Sequence, residues 1–233
     1  MGPALSRVLL NQVAAGERPP TIRLSRPGRV VAFGRRDVHS EGYGRAVAAA
    51  RSAGFEAMER LTGGRAAVYT EGALSLTITT PEYEPGRGTM RRFGDAAETL
   101  TLALRELGVD ARTGAVPGEY CPGDFSVNSG GKVKLAGIGQ RMVKGGAHVG
   151  FVIVVSDSQL VRDVLEPVYR ELELEWNPDT VGAIAEQGEG IQMAKVEASL
   201  LSALGSRRDL RPATLDDAAR DQAEAIRSWH RSP

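Results

Sequence analysis

The apolar residues change period along the chain, and that change bounds what the chain can fold into. Leu74-Ser75-Leu76-Thr77-Ile78-Thr79 alternates apolar with polar and carries β-branched residues, whereas Ala96, Ala97, Leu100, Leu104 and Leu107 recur every three or four positions. A period of two marks a half-buried strand and a period near 3.6 an amphipathic helix. Neither can hide its apolar side alone, so the two must pack as layers, which makes the chain mixed α/β.

The same reading extends outward. Residues 29–34 form an apolar run closed by Gly34, read as a buried strand; 43–53 read as an Ala-rich helix capped by Gly54. Residues 55–60 and 66–69 read as strands flanking Thr62-Gly63-Gly64, and Pro81 is expected to end the strand begun at Leu74. The 93–107 helix stops at Gly108. Residues 125–128 and 132–138 are predicted to pair as a hairpin turned by Ser129-Gly130-Gly131, with Lys132 and Lys134 on one face. Another buried strand follows at 150–155, then a helix at 159–172 that Pro167 should interrupt or kink. Helices are expected near 190–205 and 214–229, the second capped by Thr214, and both covering the sheet. The expected organisation is a catalytic unit over 1–176 and a helical extension over 177–233 packed on it.

Composition excludes several function classes. The 233 residues hold 29 Lys+Arg and 29 Asp+Glu, so no net field draws the chain to nucleic acid or an anionic membrane. No apolar stretch approaches the ~18 residues of a membrane span. One cysteine, Cys121, precludes an internal disulfide, and with no charged leader and apolar core at the N-terminus, a cytoplasmic protein is expected. His39, His148 and His230 are scattered, and no spacing of His, Cys and Asp suggests a metal site.

Three segments carry chemistry. Residues 60–69, Arg-Leu-Thr-Gly-Gly-Arg-Ala-Ala-Val-Tyr, leave little side-chain bulk between strand-like flanks, so a long, slender ligand can approach the backbone there while Arg60 and Arg65 supply donors. No Gly-Lys-Ser/Thr of a phosphate loop follows. Residues 118–125, Gly-Glu-Tyr-Cys-Pro-Gly-Asp-Phe, set the single thiol on an irregular loop, which argues for exposure and reactivity. Residues 132–141 put Lys134 ahead of a small, apolar stretch, and an inward ammonium is costly unless it meets a carboxyl, phosphate or polarised carbonyl. Only four residues are Lys, and three of them fall within 132–144.

In this order the segments resemble the lipoate-protein ligase and octanoyltransferase branch of the biotin/lipoyl ligase superfamily. Val-Val-Ala-Phe-Gly-Arg (30–35) is similar to that family's Gly-terminated first strand, Arg60–Tyr69 to its Arg-x-Ser/Thr-Gly-Gly acyl-binding segment, and Lys-Leu-Ala-Gly-Ile-Gly-Gln-Arg (134–141) to its Lys-Ile-Ala-Gly-x-x-Gln-Arg segment. Glu-Tyr-Cys-Pro-Gly-Asp-Phe-Ser (119–126) resembles the amidotransferases that move octanoyl from the glycine cleavage H protein to other lipoyl domains, and the roughly sixty helical residues after 175 resemble them better than ligases with an added domain.

The resemblance implies an α/β (α+β) fold, a mixed, largely antiparallel sheet with flanking helices. It implies Cys121 as nucleophile and Lys134 as donor to the developing oxyanion. Arg60, Thr62, Gly63, Gly64, Arg65, Ala66, Ala67, Gly137 and His148 would bind the acyl group. His148 taken alone reads as a structural histidine of a turn. Sliding eight carbons over an apolar floor of Gly63, Gly64, Ala66 and Ala67 would stabilise binding by about 6 kcal/mol at ~0.8 per methylene. Implied partners are the glycine cleavage H protein, 2-oxoacid dehydrogenase E2 subunits and an octanoyl or lipoyl ligand, without a tightly bound cofactor. Two further readings use the same pocket: an ATP- and Mg²⁺-dependent lipoate-protein ligase acting through Lys134 and an acyl-adenylate, and a non-catalytic acyl-binding protein.

Overall fold

Six antiparallel strands form the main sheet in the order β1 (Thr21–Ser25), β5 (Ala73–Glu82), β9 (Gly145–Val154), β8 (Val133–Val143), β7 (Val127–Ser129) and β6 (Ala111–Thr113). Three more, β3 (Glu56–Glu59), β2 (Val30–Phe33) and β4 (Ala67–Tyr69), form a small sheet in which β2 runs parallel to β3 and antiparallel to β4. The computed structural model describes residues 2–84 and 88–233. The mixed, mainly antiparallel α/β architecture is the one expected.

The alternation in β5 sorts its two faces. Leu74, Leu76 and Ile78 join Phe151, Ile153 and Leu135 in a core closed by α4 (Thr89–Glu106) and α6 (Met193–Gly205). The opposite face is not left to solvent, because Ser75, Thr77 and Thr79 are all buried. Helix α1 (Gly2–Ala14) packs over β5 and β9 there. The short α2 (Arg35–Val38) follows β2, and a second core joins Val152 and Val154 to the small sheet and to α3 (Tyr43–Ser52) and α5 (Ser158–Glu171).

Several local expectations change. Strand β5 continues through Pro81, which pairs with Gly146; β1 has already ended opposite Thr79, so the side on which proline lacks a donor has no partner strand. Lys132 lies in the Gly130-Gly131 turn and is exposed while Lys134 is buried, so they do not share a strand face. Helix α5 is continuous through Pro167. Asp216, not Thr214, caps α7 (Asp217–Ala225): its carboxylate accepts from the Ala219 amide and pairs with Arg18, so it meets the helix N-terminus with charge. Of the C-terminal helices only α6 covers the main sheet's core, against α4; α7 packs on α1 through Ala219 and Ala223. Helix α1 and strands β1 and β6 were not foreseen. No described helix is long and apolar enough to cross a membrane.

Candidate active site

Cys121 ends the irregular 116–121 stretch with φ +43, a left-handed conformation that a non-glycine residue holds only when its surroundings impose it. Glu119 imposes it from inside. Its buried carboxylate accepts from the Val116 amide (2.9 Å), the Gly123 amide (3.1 Å), the Ser126 hydroxyl (2.6 Å) and Lys134 Nζ (3.0 Å). The Cys121 amide donates to the Tyr169 hydroxyl at 2.9 Å, and that hydroxyl donates to the Ala66 carbonyl. The loop is thereby tied to α5, β8 and the Gly-Gly segment together.

Lys134 leads β8 into this clasp. Wholly buried, it donates to Glu119 Oε1, to the Tyr120 carbonyl (3.0 Å) and to the Cys121 carbonyl (2.8 Å), with the Tyr120 ring 4.8 Å away. An ammonium has three protons, and all three are engaged. Burial holds its pKa below the ordinary lysine value against the opposing pull of Cys121 and Glu119. Lys134 thus meets the buried carboxyl and carbonyls that the sequence requires of it, and its protons point at the loop backbone instead of at the thiol.

The sulfur has other company. Cys121 Sγ accepts from the Arg65 amide (3.2 Å) and from Arg60 Nη2 (3.3 Å). Burial pushes the thiol up, but the charges of Arg60 and Lys134 and the Arg65 amide outweigh it, and its pKa ends below the ordinary value. Gly64 makes the approach possible: with φ +109, a Cβ there would lie 2.8 Å from the sulfur and collide with Arg60 Nη2. Gly34 serves likewise, since a Cβ on it would strike the Gly64 carbonyl.

Two adjoining cavities meet at Arg60, Gly137 and Val152. The mouth cavity, about 270 Å³, is lined by Cys121, Lys134, Gly63, Gly64, Ala67 and Arg36 among others. The deep cavity, about 400 Å³, runs under α1 and is lined by Thr62, Gly137, Gly150, Val152 and His148. Its floor is the covered face of the main sheet, where register sets Ser25 beside Ser75, Val152 and Gly137, and Arg23 beside Thr77, Gly150 and Gly139.

The predicted site residues therefore divide. Arg60 and Gly137 wall both cavities, Gly63, Gly64 and Ala67 the mouth, Thr62 and His148 the interior. Ala66 lines neither: it is fully buried and offers only its carbonyl to Tyr169. The Arg65 side chain turns away to the buried Asp37 at 3.2 Å, leaving its amide to the sulfur. His148 lies within β9 instead of in a turn, bonded through Nδ1 to Thr79 at 2.8 Å; burial and then the Arg23 charge push it down to about 4, so it is neutral. The expected apolar floor of glycine and alanine is confined to the mouth; inside, hydroxyls and the Arg23 guanidinium join glycine and valine. Glu119, Tyr169, Arg23 and Thr77 were not singled out from sequence. The signal for Glu119 was present, as an acid two residues before the thiol and fifteen before an inward lysine. Among the described residues no three His, Cys, Asp or Glu side chains gather as a metal site would require.

The sequence pattern of the lipoyl protein ligase A/B catalytic domain matches residues 3–205. The chain belongs to that family. An octanoyl-GcvH:protein N-octanoyltransferase of Anoxybacillus flavithermus is 32% identical over 155 residues, 66% of this chain and 55% of that protein. A lipoyl-GcvH:protein N-lipoyltransferase of Listeria monocytogenes is 27% identical over 166 residues, 70% of this chain and 58% of that protein. The chain thus spans a little over half the length of these relatives. In fold it is similar to a putative lipoate protein ligase of T. acidophilum solved with lipoic acid, with TM-score 0.77 at 18% identity over 98% of this chain and 89% of that one.

Proposed function

We propose that this protein transfers an octanoyl or lipoyl group to a specific lysine of a lipoyl domain through a thioester on Cys121. The observation that carries the proposal is the sulfur itself: it lines the mouth of a cavity, takes hydrogen bonds from a guanidinium and an amide, and has a lowered pKa. A thiolate so placed is a nucleophile. The names of the relatives, which act between GcvH and other proteins, supply the substrate class.

In the first half-reaction the thiolate attacks the acyl-lysine amide of a donor such as the glycine cleavage H protein. The S–C bond forms, the C–N bond breaks, and the departing lysine amine takes a proton from water. In the second, an acceptor lysine amine, as on a 2-oxoacid dehydrogenase E2 subunit, attacks the thioester; the new amide forms, the thiolate is restored, and the proton returns to water. The acyl chain runs past Gly137 and Val152 into the deep cavity, whose volume lies within the ~300–1,000 Å³ of small-molecule sites. Clasped to Glu119, Lys134 fixes the loop that presents the sulfur. No tightly bound cofactor takes part.

Incubation with octanoyl-loaded H protein tests this by intact mass. One octanoyl group should appear on the chain, be released by hydroxylamine, and be absent from Cys121→Ser. If Cys121→Ser still modifies a lipoyl domain when given free lipoate, ATP and Mg²⁺, the ligase reading replaces this one. If the wild type binds octanoate and modifies nothing, the chain is an acyl-binding protein.

A further inference from the structure

Arg60 is the cation nearest the reactive sulfur, and its surroundings are unusual for an arginine. It is half-buried between the two cavities. Among the described residues it has no carboxylate partner, and its Nε is buried without any hydrogen bond. Its one side-chain hydrogen bond goes to Cys121 Sγ, at 3.3 Å. Of the other arginines that line the deep cavity, Arg26 pairs with Glu197 and Arg227 with Glu224, while Arg23, which also has a buried, unbonded Nε, donates to the neutral hydroxyls of Ser6 and Ser25; Arg60 alone among these four is bonded to an ionisable sulfur. A guanidinium with its Nε buried and no counter-ion is costly, and among the described residues the group bonded to it that can supply the balancing charge is the thiolate. Lys134 cannot take that place, because its three protons are held by Glu119 and two carbonyls.

We infer that the Arg60 guanidinium and the Arg65 amide, and not Lys134, form the anion site of the reaction, holding first the Cys121 thiolate and then the oxyanion of the tetrahedral intermediate. The inference rests on the acyl-transfer reading above and assigns its electrostatics. When Sγ bonds to the acyl carbon, the negative charge leaves sulfur and arises on the carbonyl oxygen one bond away. Sγ then no longer needs its two donors, and the oxyanion arises within their reach. Collapse of the intermediate expels the lysine amine, which takes its proton from water, and the charge at the site is gone. Attack by the acceptor amine regenerates the oxyanion, and its collapse returns the thiolate to Arg60. One fixed pair of donors thus follows the charge through both half-reactions without rearranging, which is the economy of a preorganised site. The position of Arg60 on the wall shared by both cavities fits this role, since the carbonyl must sit at the mouth while the chain enters the interior.

The test separates ionisation from oxyanion stabilisation. The pH dependence of Cys121 alkylation by iodoacetamide reports the thiolate; octanoyl transfer from loaded H protein to Cys121, measured in a single turnover, reports the tetrahedral step. In Arg60→Met the alkylation midpoint should rise by a pH unit or more. Acylation should stay at least 100-fold slow even at a pH above that new midpoint, where the sulfur is ionised. Arg60→Lys keeps a cation and should restore the midpoint in large part while recovering acylation only partly, which also answers the concern that the methionine variant misfolds. An unchanged alkylation midpoint in both variants overturns the thiolate half; full recovery of acylation at high pH overturns the oxyanion half. A wild type that alkylates with a lowered midpoint yet never accepts an octanoyl group overturns the transfer reading, and the oxyanion assignment falls with it while the thiolate pair stands.

Discussion

Replacing Lys134 by Met removes the cation from a clasp that is otherwise closed to water. Both partners are essentially unexposed, and the Glu119 carboxylate would keep its amide and hydroxyl donors while losing its ion pair with Lys134. Breaking a buried pair on one side costs about 3–5 kcal/mol, because the remaining charge stays buried without compensation. Two carbonyls, of Tyr120 and Cys121, also lose their donor. With an m-value of roughly 3 kcal/mol/M in urea for a chain of this size, the unfolding midpoint should fall by about 1–1.7 M. The decisive measurement is the double-mutant cycle with Glu119→Gln. If the clasp is one unit, the second substitution on a Lys134→Met background should cost at least ~2 kcal/mol less than it does in the wild type. Additive losses, or a Lys134→Met midpoint within a few tenths of a molar of wild type, would refute the view that this lysine acts on the Cys121 loop as a structural tie.

Two further expectations follow from the same geometry. His148 sits at about 4 against an ordinary 6.5, so the unfolded chain binds the extra proton between these values; its contribution is complete above pH 6.5 and is lost as pH falls towards 4, amounting to about 3 kcal/mol. Denaturant titrations at pH 7 and pH 4.5 should show a loss of that order from this group, and His148→Gln should flatten the difference. Gly64→Ala forces a Cβ against the sulfur and Arg60 at a φ of +109. It should slow Cys121 alkylation at neutral pH at least tenfold while the chain keeps its far-ultraviolet circular dichroism; an unchanged rate would show that the segment gives way freely.

What could be read in advance was local. Strand β5 and helix α4 announced themselves by period, and the Gly130-Gly131 turn by residue type, because each is decided by neighbours in sequence. Helix α1 escaped notice although seven of its residues, from Ala4 to Val13, are buried. Buried on much of its surface between β5 and β9 and α7, it lacks the clear polar face by which a surface helix is recognised. The C-terminal end of β8 and the N-terminal end of β9 escaped for a different reason: Gly139, Gly145 and Gly146 carry no propensity for a strand, and pairing across the sheet holds them in one. The polar row Ser75, Thr77 and Thr79 read correctly as one strand face and incorrectly as the outer face, since only the packing of α1 and the small sheet decides which side of a sheet is wet.

For the chemistry, residue identity alone settled that one thiol, one inward lysine and a Gly-Gly segment had to be accounted for, because a buried ammonium demands an acceptor and a lone cysteine on a proline-glycine loop is unlike a core residue. Which group faces which was beyond its reach. Lys134 and Cys121 converge as their spacing hinted, yet the lysine grips the loop backbone while Arg60, sixty-one residues away in sequence, reaches the sulfur. That choice depends on directions and distances of a few ångströms among β8, the Cys121 loop and the turn after β3, which exist only once the two sheets and α5 have closed around them.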